Sequence, residues 1–300
     1  MRKGIISGVL LILVCISCKR SNTEEQNYTE GSATIIADES FAPVLEDQLF
    51  IFRDNYPKAH LKMIYKPENE LLNQFMNNSG GVVIMSRLLN PAERKVFENK
   101  KVVIRVNRFA IDGIALIINQ SAEDSVVAVD DIIRVMKGKK GKIKSLVFDN
   151  ANSSTVRYLK ELSDIKDLPA SGIFALKSNP EVIKFVYDNP GAIGVVGVNW
   201  LVQPEPDAEQ YVNKLRIMAV KNLPGKPGSD NYYMPDQDNL AAGLYALARD
   251  LYIINCSGKP GLGAGFASFL AGEKGQRIVL KSGLVPDRIP SREILIRNKL

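Results

Sequence analysis

The chain has little of what most catalytic and metal centres are made from. Its 300 residues include one histidine, His60, and three cysteines, Cys15, Cys18 and Cys256. A zinc site draws three or four ligands from clustered Cys, His and acidic residues, and no such cluster is spaced along this sequence. A metal site and a cofactor are therefore not expected. Cys15 and Cys18 lie in the N-terminal segment, which leaves Cys256 without a partner for a disulfide in the body of the protein. A Ser-His-Asp hydrolase would have to use His60, and no Gly-x-Ser-x-Gly segment accompanies it. Excess charge is small, +6 from 39 basic and 33 acidic residues. The one dense basic run is Lys137, Lys139, Lys140, Lys142 and Lys144. No aromatic residues interleave with it, so it reads as a solvated Gly/Lys loop, and nucleic acid is not an expected partner.

Long apolar runs are missing as well. The longest covers residues 5–16, shorter than the roughly 20 helical residues that span a bilayer. Arg2 and Lys3 precede it and Ser17-Cys18 follows. A positive start, a short apolar run, a small residue and then cysteine resemble a bacterial lipobox. An uncleaved anchor helix is the alternative. The lipobox reading makes 1–18 a signal peptide with Cys18 as the lipidated residue. Residues 19–30 are polar and without periodicity, and become a flexible tether. The protein is then expected on the periplasmic side or at the cell surface, a monomer held to the membrane by its lipid anchor.

Beyond residue 30 the chain alternates between two hydrophobic periods. Strands are expected at 33–37, 61–65, 81–85, 101–106, 114–119, 146–148, 191–196, 215–220 and 245–254. Helices are expected from Pro43 to before Pro57, then at 70–76, from Asn90-Pro91, and at 130–136, 156–162, 181–189, 263–270 and 274–280. Residues 222–238 are rich in Pro and Gly and read as a loop. Such alternation argues an α/β fold, a parallel sheet with helices on both faces.

The order of short segments is distinctive. Ser40-Phe41 precedes the first helix, Ser86-Arg87 follows a strand, and Asp112-Gly113 leads into another. Ser153-Ser154-Thr155 opens a helix. Asn189-Pro190-Gly191-Ala192-Ile193-Gly194 comes next, then Gly275-Gln276 and Gly283-Leu284-Val285-Pro286. In this order they resemble the phosphate-binding proteins of ABC transporters, a family of type II periplasmic binding proteins. The resemblance covers nearly all of the chain after residue 30. It implies two α/β lobes joined by two crossing strands near 114–119 and 245–254. Lobe one would be 31–116 with 248–300, and lobe two 117–247. It also implies phosphate or a similar oxyanion as solute and an ABC permease as partner.

The residues carry a physical argument beside that resemblance. Helix N-termini present free N–H groups to an anion, and Ser40-Phe41 and Ser153-Ser154-Thr155 stand at two such starts. Hydroxyls add neutral donors. Asp112 suits an anion that keeps a proton, since the carboxylate accepts that O–H, which sulfate lacks. Arg87 and Arg157 supply charge for an oxyanion. The bland readings are N-caps for the hydroxyls, a turn for Asp-Gly and a solvent-facing helix position for Arg157. Two residues depart from the family. Asp149 stands where an arginine is usual, and Glu39 where a small residue is common. Both favour the alternative of a ligandless sensor or scaffold on the same fold.

An enzyme reading also exists. Ser163-Asp164-Ile165-Lys166, Ser229-Asp230-Asn231 and Lys281-Ser282-Gly283 match the three motifs of serine β-lactamases. Pro169 follows too soon for the long helix the first motif needs, and the last follows a helix pattern rather than a strand. The sequence therefore reads as a binding protein, not an enzyme.

Overall fold

The computed structural model describes residues 27–77 and 80–290. The lipobox with Cys18, and the tether as far as residue 26, lie outside them. Among the described residues no helix is long and apolar enough to cross a membrane.

The chain runs β1 (Gly31–Asp38), a 3-10 turn (Glu39–Phe41), α1 (Ala42–Asn55), β2 (Ala59–Lys66), α2 (Glu68–Asn77), β3 (Val82–Met85), α3 (Pro91–Asn99) and β4 (Arg105–Asn119). It continues through β5 (Val126–Ala128), α4 (Val129–Met136), β6 (Leu146–Phe148), α5 (Ser154–Leu162), β7 (Ile173–Ala175), α6 (Asn179–Asp188) and β8 (Ile193–Gly197). Two short helices come next, α7 (Asn199–Val202) and α8 (Glu209–Val212), then β9 (Leu215–Ile217), β10 (Ala219–Lys221) and α9 (Gln237–Ala241). β11 (Ala248–Asn255), α10 (Leu262–Ala271), α11 (Glu273–Lys281) and β12 (Val285–Pro286) complete it.

The main sheet has the order β2-β1-β3-β11-β4-β8-β6-β7. It is mixed rather than wholly parallel. Two parallel blocks, β2-β1-β3 and β8-β6-β7, are joined through the antiparallel pair β11–β4. The strands expected at 101–106 and 114–119 are not two elements: residues 105–119 form the single strand β4. Asp112-Gly113 makes no turn, because Gly113 is needed for close packing instead. A Cβ there would meet Pro235 Cβ at 3.1 Å and Leu240 Cδ2 and Val198 Cγ2 at 3.3 Å. At about 3.3 Å per residue, fifteen residues reach roughly 50 Å, enough to serve both blocks. The segment 215–220 divides the other way. β9 pairs with β4 and β10 with β5, with Met218 buried between them.

The hydrophobic cores lie on either side of one point along β4. Phe109 and Ala110 pack with Ile35, Leu45, Leu49, Phe52 and Phe266. Ile114 and Leu116 pack with Val127, Ile132, Phe148 and Leu159, and Ala115 and Ile117 with Val147, Val182 and Val196. β11 makes the same passage, since Leu251 joins the first core and Leu247, just before the strand, joins the second. The changeover falls at Asp112 on β4 and at Arg249 on β11, which face each other in the strand ladder. Helix α1 buries Val44, Leu45, Gln48, Leu49 and Phe52, the face expected from their spacing.

Candidate functional site

The C-terminal end of β1, the 3-10 turn before α1, the N-terminus of α5 and the waist of β4–β11 meet in one place. The Asp38 side chain accepts from the Ser40 N–H at 3.0 Å and thereby caps the turn. Ser40 and Phe41 are both fully buried. The Ser40 carbonyl accepts from Trp200 Nε1 at 2.9 Å and from Asn199 Nδ2 at 3.2 Å. α7 thus holds this turn although it belongs to the other side of the sheet. The Ser40 and Ser154 hydroxyls are 3.2 Å apart, a contact across 114 residues of sequence.

The charge at the centre is Arg249. Its Nε donates to Asp112 Oδ2 at 2.9 Å and its Nη1 to Ser154 Oγ at 2.8 Å. Its Nη2 lies 2.8 Å from Asp112 Oδ2 but off the hydrogen-bond axis, so that group still has donors to give. The guanidinium sits over the Phe41 ring at 4.7 Å from the centroid, a favourable cation–π placement. No expectation drawn from the sequence included Arg249. The available signal was a charged pair, Arg249-Asp250, inside an otherwise apolar strand. Such a charge is retained in a buried strand only when it is paired.

Ser40, Phe41, Asp112 and Ser154 therefore come together around one guanidinium. Ser153 and Thr155 do not join them directly. Ser153 caps α5, and its Oγ lies 2.8 Å from Thr155 Oγ1. Thr155 Oγ1 donates to Asp149 Oδ1 at 3.1 Å, and Asn179 Nδ2 donates to Asp149 Oδ2 at 3.1 Å. Asp149 is thus a buried bracket between the N-termini of α5 and α6. Ser86 accepts from Arg157 at 3.1 Å. Arg157 also pairs with Glu68 and, at 2.8 Å, with Glu161. Arg87 pairs bidentately with Glu93 at 2.8 and 2.9 Å and lies 3.5 Å from Glu68. The charge of both arginines is already met by carboxylates of this chain. Arg157 is no solvent-facing helix residue, since it reaches from α5 to α2.

Acid dominates the surroundings. Among the described residues four buried carboxylates, Asp38, Glu68, Asp112 and Asp149, stand against one buried cation, Arg249. Burial pushes the Asp38 carboxyl up to about 6, aided by the charge of Glu68 and opposed by Arg249. Burial and then the charges of Asp149, Asp38 and Glu70 push Glu39 up to about 7. Asp112 and Asp149 are raised by burial too, with Arg249 holding Asp112 down and the Ser153 and Thr155 hydroxyls holding Asp149 down. Among the described residues three buried carboxylate oxygens have no hydrogen-bond partner: Asp38 Oδ2, Glu39 Oε1 and Asp112 Oδ1.

Two of the three segments matching the β-lactamase motifs end helices. Ser163 ends α5 as its C-cap, and Ser282 ends α11 with its hydroxyl donated to the Ile278 carbonyl at 3.0 Å. No group of His, Cys, Asp and Glu among the described residues has the arrangement of a metal site. The basic run lies at the surface, where Lys139, Lys140 and Lys144 line a concavity of ≈ 390 Å³ and Lys142 pairs with Asp124.

Known proteins share this architecture. A candidate phosphate ABC transporter substrate-binding protein from Clostridium perfringens, solved with bound phosphate, superposes with a TM-score of 0.68 at 20% identity, covering 86% of this chain and 100% of that one. An ABC-type phosphate transport receptor from Vibrio cholerae gives 0.63 at 16% identity, over 85% and 100%. The substrate-binding domain of a candidate molybdenum ABC transporter from Clostridium difficile gives 0.50 at 15% identity, over 85% and 98%. At these identities the likeness is one of fold. The sequence matches none of the curated proteins. Residues 22–274 match the model of the PBP superfamily domain. The chain belongs to that superfamily of periplasmic binding proteins, and its fold is of their second type.

Proposed function

We propose that this chain is the solute-binding component of an ABC importer, exported as a lipoprotein on Cys18, and that it holds phosphate or a related oxyanion between its lobes. The lobes are those read from the sequence, 31–116 with 248–300 and 117–247. The cores that change over at Asp112 and Arg249 support two lobes, with Ile114, Ala115 and Leu116 packing on the side of lobe two. One observation carries the reading. The Ser40 and Ser154 hydroxyls, one from each half, touch each other, and Ser154 accepts from a buried guanidinium that keeps free donors.

In this reading the solute's oxygens take up the Ser40 and Ser154 hydroxyls and the Nη1 and Nη2 groups of Arg249. The turn at Phe41 and the N-terminus of α5 add their backbone dipoles. Asp112 Oδ1, buried and unpartnered, accepts the solute's remaining proton. Closing the cleft removes water, so each charge-assisted hydrogen bond contributes about 1.5–3 kcal/mol. Ser86, Arg87, Ser153, Thr155 and Arg157 shape the walls, with their charge or hydroxyls tied to Glu68, Glu93 and Asp149.

The excess of buried carboxylates favours a second reading, a sensor or scaffold on the same fold that takes no anion. Isothermal titration of the soluble domain with phosphate, sulfate, molybdate and a phosphonate separates the two. Phosphate is expected to give saturable heat and sulfate little. Silence from all four anions at millimolar concentration leaves the scaffold.

A further inference from the structure

Basic side chains gather where the chain enters the body, at the end of the sheet remote from the waist. Strand β1 begins there at Gly31, and the start of β4 pairs with the end of β11, Arg105 opposite Asn255. From Arg105 to Asp112 the rise along β4 is roughly 23 Å. Tyr28, Arg105 and Lys259 line one concavity of ≈ 420 Å³, together with Asn107, Asn255 and Ser268. Arg105, Lys259 and Lys101 are exposed, and among the described residues none of the three has a carboxylate within ion-pair distance. Glu30 and Glu98 are already paired, with Lys58 at 3.7 Å and Arg94 at 3.8 Å. The first turn of α10, which borders the concavity, carries no acidic residue. Val103 and Val106 alternate with Lys101 and Arg105 along the chain and are 61% and 40% exposed.

The tether arrives at this same place. The Tyr28 carbonyl lies against α10 at Gly265. Residues 19–27 span at most roughly 30 Å when fully extended, so an acyl group on Cys18 keeps this end of the molecule within that distance of a bilayer. Resting on the lipoprotein reading above, we propose that this end is a membrane-docking surface. The concavity beside Tyr28 seats the phosphate headgroup of an anionic phospholipid, with Arg105 and Lys259 as its charge partners.

The physical reason is charge complementarity at short range. An anionic leaflet favours each cation held at its surface by roughly fivefold in partition, an attraction that fades beyond about 8 Å. The tether supplies the proximity, because it makes docking an intramolecular event. Exposed Val103 and Val106 suit the boundary of headgroup and acyl chain. Docked this way, Asp112 and Arg249 stand on the order of 20 Å clear of the headgroups, and the cleft stays open to solute. The lysine loop at 137–144 is as basic, but it packs on the second core through Met136 and Ile143, and no tether arrives there.

The test reconstitutes the full lipidated chain into phosphatidylcholine vesicles, with and without phosphatidylglycerol, that carry a spin label on the headgroup. Quenching is read from a fluorophore placed at Val103→Cys or at Phe174→Cys, an exposed position on β7 at the opposite edge of the sheet. Cys256 is buried and stays unlabelled. Quenching at residue 103 is expected to be several times stronger with phosphatidylglycerol than without it, and several times stronger than at residue 174. Arg105→Glu with Lys259→Glu should remove most of it. Lys139→Glu with Lys140→Glu makes the same charge change on the other half and should leave it intact. All four side chains are exposed, and unchanged urea midpoints check that both double variants fold. Equal quenching at the two positions, indifference to phosphatidylglycerol, or equal loss from both double variants overturns the docking surface and leaves the lipoprotein reading standing. Loss of the quenching to added inorganic phosphate at constant ionic strength also overturns it, by assigning the concavity to a free anion. A mature chain whose mass shows no acyl group overturns the lipoprotein reading, and this inference with it.

Discussion

Asp38 shows how a single side chain can carry two duties. It caps the turn that presents Ser40, and it sets a buried carboxyl within the field of the Arg249 charge. Its folded carboxyl titrates near 6 against an ordinary 3.8, and that of Glu39 near 7 against 4.5. A raised carboxyl holds its proton more tightly when folded than when unfolded. The stability it lends is complete below about 4 and is lost as pH climbs through about 6 to 7. The midpoint of urea unfolding is therefore expected to fall across that window. Asp38→Asn should shrink the fall, because its amide does not titrate. Equal slopes for both proteins, measured in matched buffers, would show that Asp38 is not the titrating group. Nothing in the sequence singles out Asp38, because an Asp at the end of a strand reads as an ordinary cap. Its burial beside an arginine 211 positions away follows from no local pattern.

Most elements are legible in the sequence, and the exceptions have reasons. Apolar spacing marks helix α1, with Pro43 at its start and Pro57 beyond its end. β6 falls where expected, at residues 146–148. The sequence splits β4 into two strands, because Asp-Gly favours a turn locally. There the glycine serves packing. Gly194 on β8 shows the same use more sharply. A Cβ added to it would stand 2.8 Å from Ile117 Cγ1, Val182 Cγ1 and Val186 Cγ2. Strand β8 and helix α6 are pressed together there with no room for a methyl group. Gly194→Ala is expected to cost about 1–3 kcal/mol by overpacking, read from denaturant unfolding. Gly113→Ala, with its neighbours at 3.1–3.3 Å, should cost less. The reverse ranking would mean that the β8–α6 contact yields more readily than its geometry indicates.

For the whole molecule, address and fold are separate problems. On the proposed export as a lipoprotein the address lies in the first 18 residues, and Cys18→Ala is expected to abolish metabolic labelling by palmitate, whereas undiminished labelling would show that Cys18 is not the acylated residue. The first described residues already touch the body: a Cβ on Gly265 of α10 would fall 1.8 Å from the Tyr28 carbonyl, so the incoming segment lies directly on that helix. By itself the sequence determined the class of the fold, the alternation of its strands and helices, and the segments that form the turn at Ser40 and the start of α5. These come from hydrophobic period, caps and breakers, which act over a few residues. Only the tertiary structure decided what those segments face. It joined 105–119 into one strand and set Arg249 opposite Asp112. It tied Arg87 and Arg157 to carboxylates and turned Asp149 into a bracket between two helices. Those are matches of charge and volume between residues far apart in the chain, and no short-range period encodes them.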